Sequence, residues 1–285
     1  MPELPEVEVL ARHLRPLLVG KRVRAVKVHR TRVLGSTSPA QLRRALRGAT
    51  FTGVQRRGKY LIFEVKQPDA RSTLPLVGHL GMTGRMYLVP VKSALPKHAA
   101  VVIDLGRELF VYEDTRYFGR FTLDTSSVSQ LGPEPLSDEF NPKAFATALR
   151  RFKQTIKVKL LDQSLVAGIG NIYASEALFL AGIPPQISAN RLSQAQVKHL
   201  HRAIRKTLSQ AIRFGSTIPL NHTAKDGDGL FYFGRAEGAL DYYEERLQVY
   251  DRQGKPCPEC ESSIRRIVQA ARSTFFCPRC QPRSR

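Results

Sequence analysis

The sequence predicts an α+β protein of two domains: an N-terminal antiparallel β domain led by a helix, and a helical C-terminal domain that ends in a four-cysteine hairpin. Three observations predict it. The chain has 285 residues, more than one typical domain holds. Between Val23 and Leu123 short alternating runs follow one another between turn residues, whereas beyond Pro142 apolar positions recur at helical spacing. All four cysteines fall in the last 29 residues, in two pairs.

The first helix is predicted at 5–18. Val7, Leu10, Leu14, Leu17 and Leu18 recur at three- and four-residue steps, Pro5 suits a first turn, and Gly20 stops the helix. Strands are predicted at 24–29, 50–55, 60–65, 74–79, 85–89, 101–104, 108–112 and 119–123, with a short helix at 39–46. Many short strands at this spacing fit an antiparallel sandwich or barrel. The proline-rich, acidic stretch LGPEPLSDEFNP at 131–142 reads as a linker. Helices follow at 142–151, 156–161, 171–181 and 193–214. The last carries one stripe, Ala195, Val197, Leu200, Ile204, Leu208 and Ile212, and Ser193 with Gln196 fits a capping box at its start. Residues 215–245 are polar and glycine-rich and read as a long mobile loop, a feature that in compact domains is functional or disordered.

Hydrophobic residues make up 42% of the chain, enough for a core, which excludes global disorder. No apolar run reaches membrane-spanning length, and the acidic start Met1-Pro2-Glu3 is not that of a secretion signal. The 45 basic residues exceed the 24 acidic ones by 21, and the pI is about 10.3. Such a surplus repels itself in a compact fold and points to a polyanionic partner. A membrane surface fits less well, because no basic amphipathic helix stands at a terminus. The surplus is clustered. Residues 1–60 hold 14 Lys or Arg against 3 Glu, residues 252–285 hold 8 against 2, and Arg150, Arg151, Lys153, Lys157 and Lys159 form a third knot. Single members, such as Arg43, Arg44 and Arg47, read as ordinary solvated surface.

Cys257-Pro-Glu-Cys260 and Cys277-Pro-Arg-Cys280 are separated by sixteen residues. Two such knuckles let two thiolate pairs close tetrahedrally on one Zn²⁺. Segments 264–268 and 273–276 can pair as a hairpin between them. With too few apolar residues for a core of its own, the segment needs the zinc as a structural ion. Two disulfides or a redox pair are the alternative; the absence of a secretion signal disfavours the first, and the presence of two CxxC pairs rather than one disfavours the second.

Removal of Met1 before a small residue would expose Pro2 as a secondary amine. An N-terminal amine has a pKa of roughly 8, so a useful fraction is neutral near pH 7. A secondary amine condenses with an aldehyde to an iminium, which is an electron sink and acidifies the adjacent C–H; deoxyribose that has lost its base supplies such an aldehyde. Glu3 and Glu6 can give and take protons beside it. The alternative reading of Pro-Glu-Leu-Pro-Glu is a plain helix start, with acids at the positive end of the dipole.

With these motifs together, the chain resembles the formamidopyrimidine-DNA glycosylase family, which shares its fold with the endonuclease VIII type. The resemblance runs nearly end to end: MPELPEVE at 1–8, RRGKYL at 56–61, HLGMTGR at 79–85, DTRYFGR at 114–120, LGPEPL at 131–136, LLDQSLVAGIGNIYASEALFLAGI at 160–183, and the cysteine finger. It implies a β-sandwich catalytic domain at 1–132, a linker at 133–142, a helix–two-turn–helix domain at 143–250 with a lesion-capping loop at about 215–245, and a zinc-finger hairpin at 251–285. It further implies a DNA cleft between the domains, excision of 8-oxoguanine and formamidopyrimidines, and strand cleavage by β- and δ-elimination. One structural zinc, damaged double-stranded DNA as partner, a monomer, and a bacterial cytoplasmic location on the nucleoid belong to the same expectation.

Roles carry over residue by residue. Pro2 resembles the Schiff-base nucleophile, Glu3 the proton donor that opens the sugar, and Glu6 a second carboxylate of the site. Lys59 matches the proton donor of β-elimination, and Arg272 the finger arginine on the lesion phosphate. Met82, Arg116 and Phe118 match the wedge that fills the gap when a nucleotide is flipped out. Asn171, after the Gly168-Ile169-Gly170 turn, matches a phosphate-binding asparagine, and Lys157 a DNA-facing lysine. His98, and Arg151 or Lys153, are expected as further phosphate contacts. The chain departs from the pattern at Tyr117, where many members carry a second wedge arginine, and in KDGDGLFYFGRAEGALDYYEERLQVY at 225–250. The latter keeps open an endonuclease VIII-type preference for oxidised pyrimidines. A third reading, a non-catalytic DNA-binding protein on the same scaffold, is disfavoured by the presence of Pro2, Glu3 and Lys59.

Overall fold

The computed structural model describes residues 2–215 and 247–282. The chain forms two compact units, one reaching to Ser129 and one starting at Gln130. Among the described residues no helix is long and apolar enough to cross a membrane.

The first unit opens with α1, Leu4–Leu18. Its start is a capping box: the Glu6 carboxylate accepts the Glu3 backbone N–H at 2.6 Å, and the Glu3 carboxylate faces the Glu6 N–H in return. The helix is buried on more than the expected stripe. Val9 and Ala11 are inside as well, while Leu17 is exposed. Then follow β1 (Ala25–Val28), α2 (Pro39–Leu46), β2 (Thr50–Arg57), β3 (Tyr60–Lys66), β4 (Leu74–His79), β5 (Gly84–Pro90), β6 (Ala99–Asp104), β7 (Glu108–Asp114) and β8 (Arg120–Thr122). All eight expected strands form, and α2 spans the expected residues with Ser38 as its cap.

These strands make two four-stranded antiparallel sheets, in the orders β1-β6-β7-β5 and β2-β3-β4-β8. The choice between sandwich and barrel is thereby resolved as a sandwich. Its core is aromatic: Phe51 and Phe63 of one sheet meet Phe110 of the other edge-on, at 6.3 and 5.5 Å between ring centres, and Phe121 lies beside Tyr112 and Phe110. The helix α1 packs on β2 and β3.

Register places the turns. β4 and β5 belong to different sheets, as do β7 and β8, so both connections cross between the sheets. His79 pairs with Arg120 and Gly84 with Asp114, which sets the two crossings side by side. Tyr60 also pairs with His79, so the β2–β3 turn at Gly58-Lys59 lies at the same end. The Glu8–Arg56 ion pair and the Arg15 bond to the Val54 carbonyl orient α1 so that its amino end points there too.

After a one-turn helix α3 (Ser126–Ser129), the second unit contains α4 (Pro142–Leu149), α5 (Ile156–Leu160), α6 (Asn171–Leu180) and α7 (Gln194–Gly215), then a hairpin of β9 (Arg265–Gln269) and β10 (Arg272–Phe276). The expected helices form with ends one or two residues shorter, except that α7 runs one residue further, to Gly215. In α4 the last residues, Arg150 and Arg151, fall outside the helix. The Ser193–Gln196 capping box is present in both directions. Of the α7 stripe, Val197, Leu200, Ile204, Leu208 and Ile212 are buried with His201 and Ala203, and Ala195 is exposed. The hairpin borrows its core: Phe275, Ile264, Cys257 and Cys277 pack with Phe179 of α6 and Val249.

Candidate functional site

The amino end of α1 holds Pro2, Glu3 and Glu6, all buried. The capping box gives Glu6 a defined role, since by holding the Glu3 N–H it fixes the backbone next to Pro2. Of the two readings of the pentapeptide, the helix start is what the geometry displays: Glu3 and Glu6 form the capping box directly after Pro2. Lys59 sits in the two-residue β2–β3 turn after Gly58, whose φ of 57° is the conformation such a turn requires of its first residue. Its side chain is almost fully buried. His79 lies beside it. Burial, and then the charges of Lys59 and Arg120, push its imidazole down to about 4 against the opposing pull of Asp114, so the ring is neutral at pH 7. Its Nδ1 accepts the Gly81 N–H at 3.1 Å. Further along α1, burial pushes the Glu8 carboxyl up, yet the bonds and charges of Arg56 and Arg12 hold it below the usual range.

The two crossings carry Met82 and the pair Arg116 and Phe118, and the structure brings the three together. Arg116 Nη1 lies 3.3 Å from Met82 Sδ, and its guanidinium sits 4.7 Å from the centre of the Phe118 ring. Met82 and Phe118 are each 45% exposed, the opposite of core residues. Tyr117 faces elsewhere. Its hydroxyl accepts from Arg30 Nε at 3.2 Å and lies 3.4 Å from His98 Nδ1. His98 thus joins this end of the sandwich through Tyr117 and through its carbonyl, which accepts the Asp114 N–H. One residue central to this tip went unread in the sequence. Asp114 is fully buried and takes bonds from both crossings. Its signal was an acid closing an apolar strand.

In the second unit Asn171 is the first residue of α6, with Gly170 as the cap. It is therefore not itself the cap. Its side chain accepts from Lys157 Nζ at 2.5 Å and donates to the Ser273 carbonyl of β10 at 2.8 Å. Lys157, expected to face DNA, is buried with its ammonium on Asn171. Lys159 is internal too, over the Phe152 ring and paired with Asp162. Two members of the third basic knot are thus structural, while Arg150, Arg151 and Lys153 are exposed. Gln163 organises the glycine turn: its amide donates to the carbonyls of Leu161 and Ile169 and accepts the Gly168 N–H. Glu176, an acid within an apolar helix, accepts the N–H groups of Gln248, Val249 and Tyr250 at 2.8, 3.0 and 2.9 Å. Burial pushes its carboxyl up, and those three donors oppose the rise.

Arg272 is exposed and follows a turn in which Ala270 and Ala271 both have positive φ, 47° and 58°. Gln269 on the other side of the turn donates to Thr155 Oγ1 and to the Pro185 carbonyl, and so docks the hairpin on the start of α5. The four cysteine sulfurs lie within 4.8 Å of one another. Cys257 and Cys280 are 3.8 Å apart, and Cys260 and Cys277 3.4 Å. These separations are too long for disulfides. Four ligands at about 2.3 Å around a tetrahedral ion would be about 3.8 Å apart, so the group fits a metal ion of zinc's size. The expected lesion-capping loop, apart from Gly215, lies outside the described residues.

Comparison with known proteins agrees along the chain. The formamidopyrimidine-DNA glycosylase N-terminal domain matches residues 1–121, the helix–two-turn–helix domain of the same glycosylase residues 131–221, and the zinc finger found in that glycosylase and in IleRS residues 254–283. The formamidopyrimidine-DNA glycosylase of Symbiobacterium thermophilum is 44% identical over 292 residues, covering 99% of this chain and 90% of that one. The Chloroflexus aggregans protein of the same name is 42% identical, covering 99% and 98%. Among solved structures, the Lactococcus lactis enzyme non-covalently bound to DNA containing an AP site has a TM-score of 0.84 at 33% identity, with 99% of this chain and 100% of that one covered. The same enzyme with DNA containing Fapy-dG has a TM-score of 0.83 at 34% identity, with the same coverage. The chain belongs to the formamidopyrimidine-DNA glycosylase family.

Proposed function

We propose that this protein is a bifunctional DNA glycosylase and abasic-site lyase that removes oxidised purines, 8-oxoguanine and formamidopyrimidines, from double-stranded DNA. The observation that carries the reading is the buried Pro2-Glu3-Glu6 stretch at the start of α1, with its capping box, in a chain whose relatives are named formamidopyrimidine-DNA glycosylases.

Pro2 acts as nucleophile. Its neutral amine attacks C1′ as the C1′–N bond to the damaged base breaks, the base leaving with the bonding pair and taking up the proton the amine sheds, and Glu3 protonates the ring oxygen so that the sugar opens. The resulting iminium withdraws electrons from C2′, whose proton is lost as the 3′-phosphate departs. Lys59 handles protons in this β-elimination. Arg272 holds the lesion phosphate, and the second elimination releases the 5′-phosphate. Asn171, Arg151, Lys153 and His98 bind the DNA backbone, whose charge accounts for the basic surplus. Lys157 contributes through Asn171. Cys257, Cys260, Cys277 and Cys280 hold one structural zinc, which shapes the hairpin that carries Arg272.

Met82, Arg116 and Phe118 form the wedge. Met82 and Phe118 replace lost stacking, and Arg116 reads the orphaned base. A guanidinium has only donors, so it suits cytosine, whose pairing edge offers two adjacent acceptors, better than adenine, whose pairing edge offers one acceptor beside a donor amine. The protein therefore cuts 8-oxoguanine faster opposite cytosine. It works as a monomer, in the cytoplasm of a bacterium.

The test is a panel of duplexes with one lesion each, incubated with the zinc-loaded protein and read for strand cleavage. Cleavage at 8-oxoguanine and formamidopyrimidine, leaving phosphate on both flanks of the gap, is the expected result. Cleavage confined to oxidised pyrimidines, or binding with no cleavage, would overturn the reading.

A further inference from the structure

The wedge residues sit on two separate turns, Leu80–Thr83 and Thr115–Phe118, which join different pairs of strands. Nothing in their sequence order makes them a unit. One carboxylate does. Asp114 Oδ1 accepts the Thr83 hydroxyl at 2.6 Å and the Arg116 N–H at 3.1 Å. Its Oδ2 accepts the Gly119 N–H at 2.9 Å and lies 3.4 Å from the Tyr112 hydroxyl. Thr83 Oγ1 also faces the Arg116 N–H, at 3.2 Å. Thr83 follows Met82 directly, and Arg116 and Gly119 bracket Phe118. The turns also touch without side chains between them. A Cβ on Gly81, which has a φ of 61°, would lie 2.6 Å from the Gly119 nitrogen.

We infer that Asp114 is the positioning residue of the wedge: by holding both turns at once it presents Met82, Arg116 and Phe118 as one preassembled tip, and so sets discrimination of the base opposite the lesion. The inference rests on the wedge reading given above. The physical basis is valence. A carboxylate has two acceptor oxygens: here Oδ1 bridges the two turns through Thr83 and Arg116 while Oδ2 holds Gly119, and hydrogen bonds to an ionised acceptor are the strong ones. An amide in the same place has one acceptor and one donor group. It can serve Thr83 and Arg116, or Gly119, and it confronts the remaining donor with an N–H. With the amide oxygen at the Oδ1 position the second turn loses its hold at Gly119, and in the other orientation the Oδ1 bridge from Thr83 to Arg116 is lost, although the side chain keeps its shape.

The experiment compares Asp114→Asn, Thr83→Val and Thr83→Ser in the full-length, zinc-loaded protein. Each is measured under single turnover with 8-oxoguanine opposite cytosine and opposite adenine. A preformed abasic site in single-stranded DNA, which has no opposite base, serves as the reference reaction. Losing a bond to a charged group changes such a ratio by roughly ten- to a hundredfold. Asp114→Asn and Thr83→Val are expected to shrink the cytosine-to-adenine preference by about that factor, toward the value of Arg116→Ala, with single-strand cleavage unchanged. Thr83→Ser keeps the hydroxyl and is expected to behave as wild type. Leu46→Ala, at the buried last residue of α2, lowers stability without touching the tip and should leave the ratio alone. Should Asp114→Asn fail to fold, Thr83→Val decides. If both variants keep the full preference while Arg116→Ala loses it, the inference is wrong. If Arg116→Ala itself keeps the preference, the wedge reading fails first.

Discussion

Asn171 can be tested on its own. Its side chain links the ammonium of Lys157 to the carbonyl of Ser273, the residue after Arg272. Asn171→Ala removes two hydrogen bonds, one to a charged group worth about 1.5–3 kcal/mol and one neutral bond worth about 0.5–1.5 kcal/mol. The local loss is therefore about 2–4.5 kcal/mol, spread over the start of α6 and the β9–β10 hairpin. Amide hydrogen exchange of the zinc-loaded protein reads that loss where it occurs. Hairpin amides around Ser273 should exchange faster by a factor on the order of a hundred, with the first unit unchanged. Asn171→Asp separates the two bonds. It keeps an acceptor for Lys157 but turns a carboxylate oxygen toward the Ser273 carbonyl, so the hairpin should loosen while α5 and α6 stay protected. Because the hairpin carries Arg272, the second elimination should slow in step. Hairpin exchange within about 0.5 kcal/mol of wild type in Asn171→Ala would refute the reasoning.

Three further outcomes are expected. His79 has its pKa pushed down to about 4 by burial, against an ordinary 6.5. Between those pH values the unfolded chain binds more protons than the folded one, so stability falls as pH falls from about 6.5 to 4, by at most about 3 kcal/mol. His79→Asn should flatten that part of the pH dependence of Tm, and an unchanged slope would count against it. In the hairpin turn, Ala270 and Ala271 each hold a left-handed conformation that costs about 1–2 kcal/mol without glycine or asparagine. Ala270→Asn with Ala271→Gly should slow hairpin exchange, and no change would show that the turn carries no such strain. Finally, elemental analysis should find about one zinc per chain. Cys277→Ser should weaken DNA binding more than it weakens the first unit, whose core is its own. Metal-free protein that binds and cuts DNA normally would exclude the assignment.

Periodicity and turn residues carried most of the fold. Most strand runs and α2 were legible because glycine, proline or a cap such as Ser38 lies at or near their ends, and the zinc group because cysteine spacing is itself geometry. What stayed hidden depends on pairing across the chain. Sandwich and barrel differ only in which strands neighbour which, and alternation says nothing of that. Lys157 and Lys159 looked like surface because a lysine's burial depends on an acceptor elsewhere, here Asn171 and Asp162. Asp114 and Gln163 were passed over for the same reason. Their partners are mostly backbone N–H or carbonyl groups of turns, which a sequence does not distinguish. Met82 and Phe118 were legible as wedge residues only through family resemblance, since apolar side chains alone read as core.

The central claim, covalent chemistry at Pro2, is tested most directly by borohydride trapping. Zinc-loaded protein is mixed with duplex DNA containing 8-oxoguanine opposite cytosine, reduced with borohydride, digested, and the cross-linked peptide sequenced. The expected adduct lies on the N-terminal peptide at Pro2, and it should vanish when a retained extension converts that amine to an amide. An adduct on Lys59 or another internal lysine, with the extended protein still trapped, would contradict the account.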